Sequence, residues 1–489
     1  MYSPLRESAL PKPQQRQCEV LYLPTQGHSV VKGIAGGGKT TMAIYRALFL
    51  SDSTLPHGGN TIVLTYNKSL ANNIEAVLKL FPHAHVQVST YHALVKQGLR
   101  QNGHDESPCP DKLRKEFIAQ AVQNVQDTSE PLPLFKRELD FFVDEIDWMV
   151  RMGICSLEDY VEAERIGRKG HTLLRKDRPL MYKILEQYNE VRTSGNNGQR
   201  NAYLYDWDNI VLAWYQDVLA GKISFPYRHI IIDEGQDFPI SMLKGLSKLL
   251  SNDGSLTVFL DDAQQIYGPR ISWRSAGLSI SKAWTLHNNY RNTAQIYRLA
   301  QALAKNLDEL NCDKDSTLLD NNLREGNKPY LFCCDSPELR YVYVANICEY
   351  YASISNHTES IGILVFNYRQ EKELQYYFAQ RNIPTLAVSR GQEGSRYFNQ
   401  LGIYISSIFS AKGLEFDFVI LPFLDKENFI DPNDIDEDDS LKQQQLVKSL
   451  KLLYVAITRA RNNLFLMYCD ELTPLLPKDK DLYNRVQGR

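Results

Sequence analysis

Gly33-Ile34-Ala35-Gly36-Gly37-Gly38-Lys39-Thr40-Thr41 is the stretch on which the reading of this chain turns. It fits GxxxxGK[ST], follows the apolar, strand-like Ser29–Lys32 (SVVK), and opens into the helical run TMAIYRALFL. Strand, loop and helix in that order are what a phosphate-binding loop requires. The glycines let the backbone curl until its N–H groups converge on phosphate oxygens, and the following helix adds its positive N-terminal end. Lys39 is placed to reach the outer phosphates, and the Thr40 hydroxyl suits Mg²⁺.

Outward from the loop, apolar strand-like runs recur at Thr61–Thr65, His229–Ile232, Leu256–Leu260, Gly362–Phe366, Ile403–Ser407 and Phe418–Pro422, with helical patterns between many of them. This alternation predicts parallel sheets wrapped by helices. Residues from Asp111 to about Tyr203 break the pattern. They are long, charged and amphipathic, and read as a helical insertion. A second α/β unit is expected to begin near Leu286. The segment Asp431–Asp439 lacks the glycine a calcium loop needs at its sixth position and reads as a solvated loop.

The run Ile230–Asp237 (IIIDEGQD) is the second chemical signal. An apolar strand ends in adjacent carboxylates at the edge where open α/β sheets bind ligands. Asp233 suits the shell of a Mg²⁺ ion shared with Thr40. Glu234 is placed to orient or deprotonate an attacking water.

Bulk properties set bounds. The chain has 489 residues, 43% hydrophobic and 23% charged, which implies several structural units in an ordinary globular protein. Its net charge of −3 does not advertise a nucleic-acid partner, although a strand-tracking groove needs only local charge. No apolar run is long enough for a membrane span, and the N-terminus has no signal core, so a cytoplasmic location is expected. The eight cysteines form no CxxC pair, and Cys333-Cys334 sits in a strand-like run where packing explains it.

The remaining motifs resemble those of superfamily 1 helicases of the UvrD/Rep/PcrA type, in order from about Gln17 to Leu464. DEGQD is similar to DExxQ, with Gly235 where Ala is usual. Gln14–Val20 resembles the adenine-binding Q motif; spacing favours Gln17, with Gln14 and Gln15 as alternatives. Thr65-Tyr66-Asn67 resembles motif Ia, and Thr90-Tyr91-His92 the TFH motif; both line the strand groove in that family. Asp206-Trp207-Asp208 resembles its D-[FW]-D element. LDDAQQIY (Leu260–Tyr267) resembles GDxxQSIY, which implies that Gln264 senses the γ-phosphate and that Tyr267 faces the strand. Trp273-Arg274 resembles the WR pair and implies base stacking by Trp273. Asn289-Tyr290-Arg291 matches NYR, implying adenine stacking by Tyr290 and a γ-phosphate contact by Arg291. SIFSAKGLEFD (Ser407–Asp417) resembles THxxKGLEFD, with Phe409 in place of His and Glu415 near the ribose or the arginine network. LYVAITRAR (Leu453–Arg461) matches YVAxTRA, making Arg459 the arginine finger.

The resemblance implies two RecA-like parallel-sheet P-loop domains with a helical insertion, 1B, in the first. Domain 1A is expected at 1–92 and 204–285, 1B at 93–203, and 2A at 286–489, the interval after Arg291 being too short for a full 2B subdomain. The implied catalytic set is Lys39, Asp233, Glu234, Gln264, Arg291 and Arg459, with Gln17, Gly33 to Thr41, Tyr290 and Glu415 holding ATP. The implied activity is a Mg²⁺- and ATP-dependent translocase or helicase, 3′ to 5′, on single-stranded or tailed DNA, with RNA as an alternative. A partner nuclease or accessory protein is a second possibility, and a nucleotide-dependent binding switch a third.

Overall fold

Val30 and Val31 are neighbours in the chain, yet they belong to different hydrophobic cores. Successive side chains on a strand point to opposite faces, so a strand covered on both sides reads as a continuous apolar run. Ile62, Leu64, Ile230, Ile232, Leu256 and Val258 join Val30 on one face, while Val63, Ile231 and Phe259 join Val31 on the other. The computed structural model describes residues 10–487 apart from 15, 105–107, 166–172, 195–202, 262–272, 281–282, 287, 312–323, 355–358, 388–401 and 436–439.

The first sheet comprises β1 (Gly27–Gly33), β2 (Thr61–Thr65), β3 (Val86–Thr90), β4 (His229–Ile232), β5 (Ser255–Leu260) and β6 (Ala283–Leu286), in the order β3-β2-β4-β5-β1-β6. Every pairing is parallel. Helices Lys39–Ser51 and Lys68–Leu78 cover one face; Tyr91–Gln101, Asn209–Leu219 and Ile240–Leu249 cover the other.

The second sheet is also parallel: β7 (Tyr330–Cys333), β8 (Ser360–Val365), β9 (Leu386–Ala387), β10 (Gly402–Ser407), β11 (Phe416–Leu421), β12 (Ala460–Tyr468) and β13 (Asn484–Gln487), in the order β13-β7-β12-β11-β8-β10-β9. Its interior is split by the same alternation, with Leu364, Val419 and Leu466 on one face and Ile363, Ile420 and Met467 on the other. The chain is therefore two parallel-sheet α/β domains. Each apolar run identified in the sequence lies in or overlaps a strand. Strands β3 and β6 escape a hydrophobicity search because they are edge strands with partly exposed faces. Strand β12 escapes it because its first residues, Ala460 and Arg461, belong to the TRAR run.

The insertion is helical among its described residues: Asp111–Asp127, Leu139–Met152, Leu157–Glu162 and Arg178–Ser194. It shares the core of the first domain, since Phe117, Phe142, Met149 and Met181 belong to the same buried cluster as Leu94 and Trp214. Helix Tyr91–Gln101 runs across the boundary expected at residue 92. Among the described residues, no helix is long and apolar enough to cross a membrane.

Trp214 shows how tightly the helices under the site are fitted. It is 1% exposed, and two helical glycines face it. A Cβ on Gly98 would lie 2.9 Å from its Cδ1, and one on Gly245 would lie 2.3 Å from its Cζ3. In an open helix, Gly→Ala gains about 1 kcal/mol of propensity. At Gly245, overpacking against a fixed indole reverses the sign. Gly245→Ala should lose a net ~1–3 kcal/mol, seen as a lower urea midpoint of the first domain; a raised midpoint would contradict this packing.

Candidate nucleotide site and strand-facing surface

Three adjacent strands deliver the first half of the site. β1 ends in the phosphate loop, β5 in Asp261, and β4 in Asp233 and Glu234. Lys39 Nζ donates to the carbonyls of Gly33 (2.8 Å) and Ile34 (2.7 Å) and pairs with Asp261 at 3.1 Å. Gly36 and Gly38 hold φ of 74° and 78°, in the left-handed region that glycine adopts at no steric cost. Gly38 leaves the N-terminus of helix Lys39–Ser51 without a side-chain cap, at the end where a helix carries N–H groups with no intrahelical partner. Thr41 lies in the first turn of this helix. Gln17 donates from Nε2 to the Gly37 carbonyl at 3.1 Å and accepts from the Gln14 N–H at 2.9 Å. The spacing-favoured glutamine is thus the one beside the loop.

Thr40 Oγ1 donates to Asp233 Oδ2 at 2.6 Å. Burial, reinforced by the charge of Glu234, pushes Asp233 above the usual carboxylate range. Burial acts on Glu234 in the same sense, but Lys412, Lys39 and Arg459 outweigh it and hold that carboxyl below its ordinary value. Glu234 also has φ 56°, a left-handed conformation that costs a non-glycine residue about 1–3 kcal/mol. Gln236 supports the turn, donating to Glu234 and accepting from the Asp261 N–H at 3.0 Å.

The other half comes from the second domain. Gly36 lies so close to Asn289 that a Cβ there would fall 2.3 Å from Asn289 Oδ1, and the Tyr290 N–H donates to the Gly36 carbonyl at 2.9 Å. Ala35 packs into the hydrophobic cluster that contains Tyr454 and Ile457. Arg291 Nε is 2.5 Å from Glu415 Oε2. Arg459 is buried, donating to the Val455 and Leu414 carbonyls, each at 3.1 Å. Burial, then the Arg291 charge, brings its guanidinium down to about 10. The Phe416 N–H donates to the Arg459 carbonyl at 2.9 Å, which ties Glu415 and Arg459 to neighbouring strand ends. Tyr290 presents an exposed ring, 43% accessible.

Lys412, quoted within the AKGLEFD run but assigned no role there, makes a buried charged contact between the domains. Its Nζ lies 2.7 Å from the Asp237 carboxylate, with the two side chains 2% and 1% exposed. Asn67 Nδ2 donates to the Lys412 carbonyl at 2.7 Å, while its Oδ1 accepts from Leu70 N at 2.7 Å and caps helix Lys68–Leu78. Asn67 is therefore a cap and a domain contact at once. Asn292 is a further residue that motif reading missed. It donates to the carbonyls of Thr458 (3.2 Å) and Ala460 and accepts from Asn289 at 2.8 Å, joining the NYR and TRAR stretches. Its position directly after NYR was the available signal.

The residues expected to face a strand separate into two groups. Tyr66, Tyr91 and His92 form an aromatic cluster, with centroids 5.6 Å (Tyr66–Tyr91) and 3.9 Å (Tyr91–His92) apart. It continues to Trp207, whose ring meets His92 edge-on at 5.7 Å. Trp207 is 44% exposed, and Lys96 Nζ sits 4.6 Å from its ring centroid. Burial, with Lys96 and Arg151 adding to it, takes His92 down to about 4, so its imidazole is neutral at ordinary pH. Within this cluster Tyr91 is buried; in the second group Thr65 is fully buried, and Thr90 caps helix Tyr91–Gln101 through Ala93 N at 3.2 Å. Trp273 packs partly against the core of the first domain. Gln264 and Tyr267 lie outside the described residues.

This fold and this loop define a two-domain P-loop nucleotide-binding protein. The chain belongs to the UvrD/REP helicase family: the UvrD/REP helicase N-terminal domain model matches residues 12–285, and the UvrD-like helicase C-terminal domain model matches 391–471. It is 23% identical over 419 residues to a probable DNA helicase II homolog of Mycoplasma genitalium, covering 77% of this chain and 54% of that protein. It is 21% identical over 462 residues to a probable DNA helicase of Mycoplasma pneumoniae, covering 90% and 80%. With DNA helicase II of Escherichia coli it shares 24% over 312 residues, covering 60% and 40%. The chain spans about half the length of the first two relatives it matches, 54% and 48%.

The Asn292 junction is testable without any ligand. Asn292→Ala removes a buried donor from two carbonyls and should cost ~1–3 kcal/mol, read as an earlier chemical unfolding transition of the second domain. An unchanged transition would mean that Asn292 does not join the two stretches.

Proposed function

We propose that the chain is an ATP-dependent single-strand translocase or helicase whose catalytic site is completed when the second domain closes on the first. The observation that carries this reading is geometric: buried Lys412 of the second domain pairs at 2.7 Å with Asp237, in the turn of the first domain that holds Glu234, and its charge bears on Glu234 together with that of Arg459. An ATPase in which distant cations meet the catalytic carboxylate can couple hydrolysis to domain movement.

The residues present fit Mg²⁺ and ATP. Asp233 and Glu234 are adjacent buried carboxylates with one of them raised, a repulsion that a divalent cation would relieve. Thr40 and Asp233 would hold the ion, and Lys39 with the loop from Gly33 to Thr41 would hold the phosphates. Gln17 and Tyr290 would take the adenine, with Glu415 steadying Arg291. Bound Mg²⁺–ATP supplies the phosphoanhydride bond that is broken. Glu234, held ionised by three cations, is suited to orient and deprotonate water. Arg291 and Arg459 are suited to stabilise charge on the equatorial oxygens, and Gln264 to sense the γ-phosphate.

On the strand side, Trp207 with Lys96 presents an exposed stacking platform, joined by Tyr66 and His92. Base stacking on an aromatic ring tolerates any sequence, and a cation beside it serves the backbone. Trp273 and Tyr267 remain stacking candidates by family resemblance. The substrate proposed is single-stranded or tailed DNA, with 3′-to-5′ movement resting on that resemblance. RNA, or a motor subunit acting with a nuclease or accessory protein, is distinguished by which strand stimulates turnover.

Steady-state ATP turnover with oligo-dT, oligo-rU and duplex tests this directly. Turnover should rise with single strands. Trp207→Ala should raise the half-saturating oligomer concentration about 5- to 150-fold, corresponding to ~1–3 kcal/mol per base. Turnover indifferent to every strand would leave a nucleotide-dependent switch. An unshifted half-saturation would remove Trp207 from the strand surface.

A further inference from the structure

Helix Leu139–Met152 of the insertion carries two charged residues one turn apart, Asp147 and Arg151. Residues at this spacing share a helix face. Asp147 bonds Arg114, and Arg114 Nε reaches Asp206 Oδ2 at 3.2 Å. Asp206 is gripped further by Tyr188 and by Arg192 at 3.4 Å, and it accepts from the N–H groups of Asp208 (2.9 Å) and Asn209 (2.6 Å). The residue between Asp206 and Asp208 is Trp207, so this network fixes the backbone that presents the exposed indole.

Arg151 leads the other way. Its Nη2 donates to the Asp237 carbonyl at 3.4 Å, and the carboxylate of the same residue holds Lys412. The helix end is docked firmly beside this contact. Lys244 Nζ donates to the Met152 carbonyl at 2.9 Å, and Gly153, with φ 70°, sits where a Cβ would lie 3.3 Å from Ser241 Cα. Yet Arg151 Nε is buried with no hydrogen-bond partner. A guanidinium has five donors in a rigid fork, and here part of it is unspent between two anionic surroundings. Its charge bears on Tyr91, His92 and Asp208 on the strand side and on Asp237 on the ATP side.

We infer that Arg151 is a positioning residue through which an occupied strand groove is sensed at the carboxylate turn of the ATP site. A strand seated on Trp207 and His92 alters the surroundings of the guanidinium, whose charge bears on His92 and Asp208. The hold on the Asp237 carbonyl then changes, and with it the turn from Glu234 to Phe238 and the Asp237–Lys412 pair. The insertion becomes a rigid bridge between the two sites. This inference rests on the strand-stimulated ATPase proposed above.

The experiment uses the full chain with dT oligomers. Arg151→Met and Arg151→Lys are compared with wild type in basal turnover, turnover at saturating oligomer, and oligomer affinity by fluorescence anisotropy. A coupling residue predicts, for Arg151→Met, basal turnover and affinity within about threefold of wild type, with the stimulation ratio reduced about tenfold or more. Arg151→Lys, which keeps the charge and the stem, should recover stimulation to within about threefold of wild type. Undiminished stimulation in the Met variant, or a Lys variant no better than Met, overturns the inference alone. So does a parallel fall in basal turnover, affinity and stimulation, which would mark a purely structural role. A wild-type chain that no strand stimulates overturns the proposed function and this inference with it.

Discussion

The ion pair between Lys412 and Asp237 is the constraint around which the rest is arranged. It crosses from one domain to the other at 2.7 Å, with both side chains almost wholly removed from water. Desolvating two charges costs several kcal/mol per ion, and removing one partner of such a pair costs ~3–5 kcal/mol because the other is stranded. The domains therefore cannot part here without rehydrating both groups. The pair stands one residue beyond Gln236, whose amide holds Glu234, and Lys412 is the largest of the charges that keep Glu234 ionised. Domain contact and the protonation of the proposed base are thus one electrostatic problem.

Two glycines make that contact possible. Gly413, with φ 83°, faces Leu70 at a distance where a Cβ would come within 3.1 Å. Gly36, with φ 74°, faces Asn289 even more closely. The phosphate loop of one sheet and the AKGLEFD turn of the other are both made of backbone that can approach. Lys39 meanwhile spends its donors on Gly33, Ile34 and Asp261. Those are the donors for which phosphate oxygens would compete, so nucleotide binding and rearrangement of the loop are expected to be linked.

Much of this could be read in the sequence, for a physical reason. Strands buried on both faces must be continuously apolar, so β2, β4 and β8 announce themselves. A phosphate loop must be contiguous, so Gly33 to Thr41 does too. What could not be read depends on tertiary neighbours. Asn67 and Lys412 are 345 residues apart in the chain, and Lys412 and Asp237 are separated by 175. Both pairs lie in quoted motifs, but nothing in either motif names its partner. Trp207 likewise belongs to the Asp206-Trp207-Asp208 element, and only its exposure beside Lys96 marks it as a platform. Arg151 lies in no motif at all. Asn67 and Thr90, read as groove residues, also cap helices, and Thr65 is buried, which no motif announces.

The central claim is that the two domains form one catalytic site, with Arg459 acting on a nucleotide held by the first. The most direct measurement is single-turnover ATP hydrolysis by Arg459→Ala beside its nucleotide affinity. An arginine supplied by the second domain predicts a rate lower by about 10³–10⁵ with ATP still bound by the phosphate loop. Hydrolysis within about tenfold of wild type, at equal affinity, would mean that the first domain hydrolyses ATP on its own and that the closed arrangement is not the catalytic one.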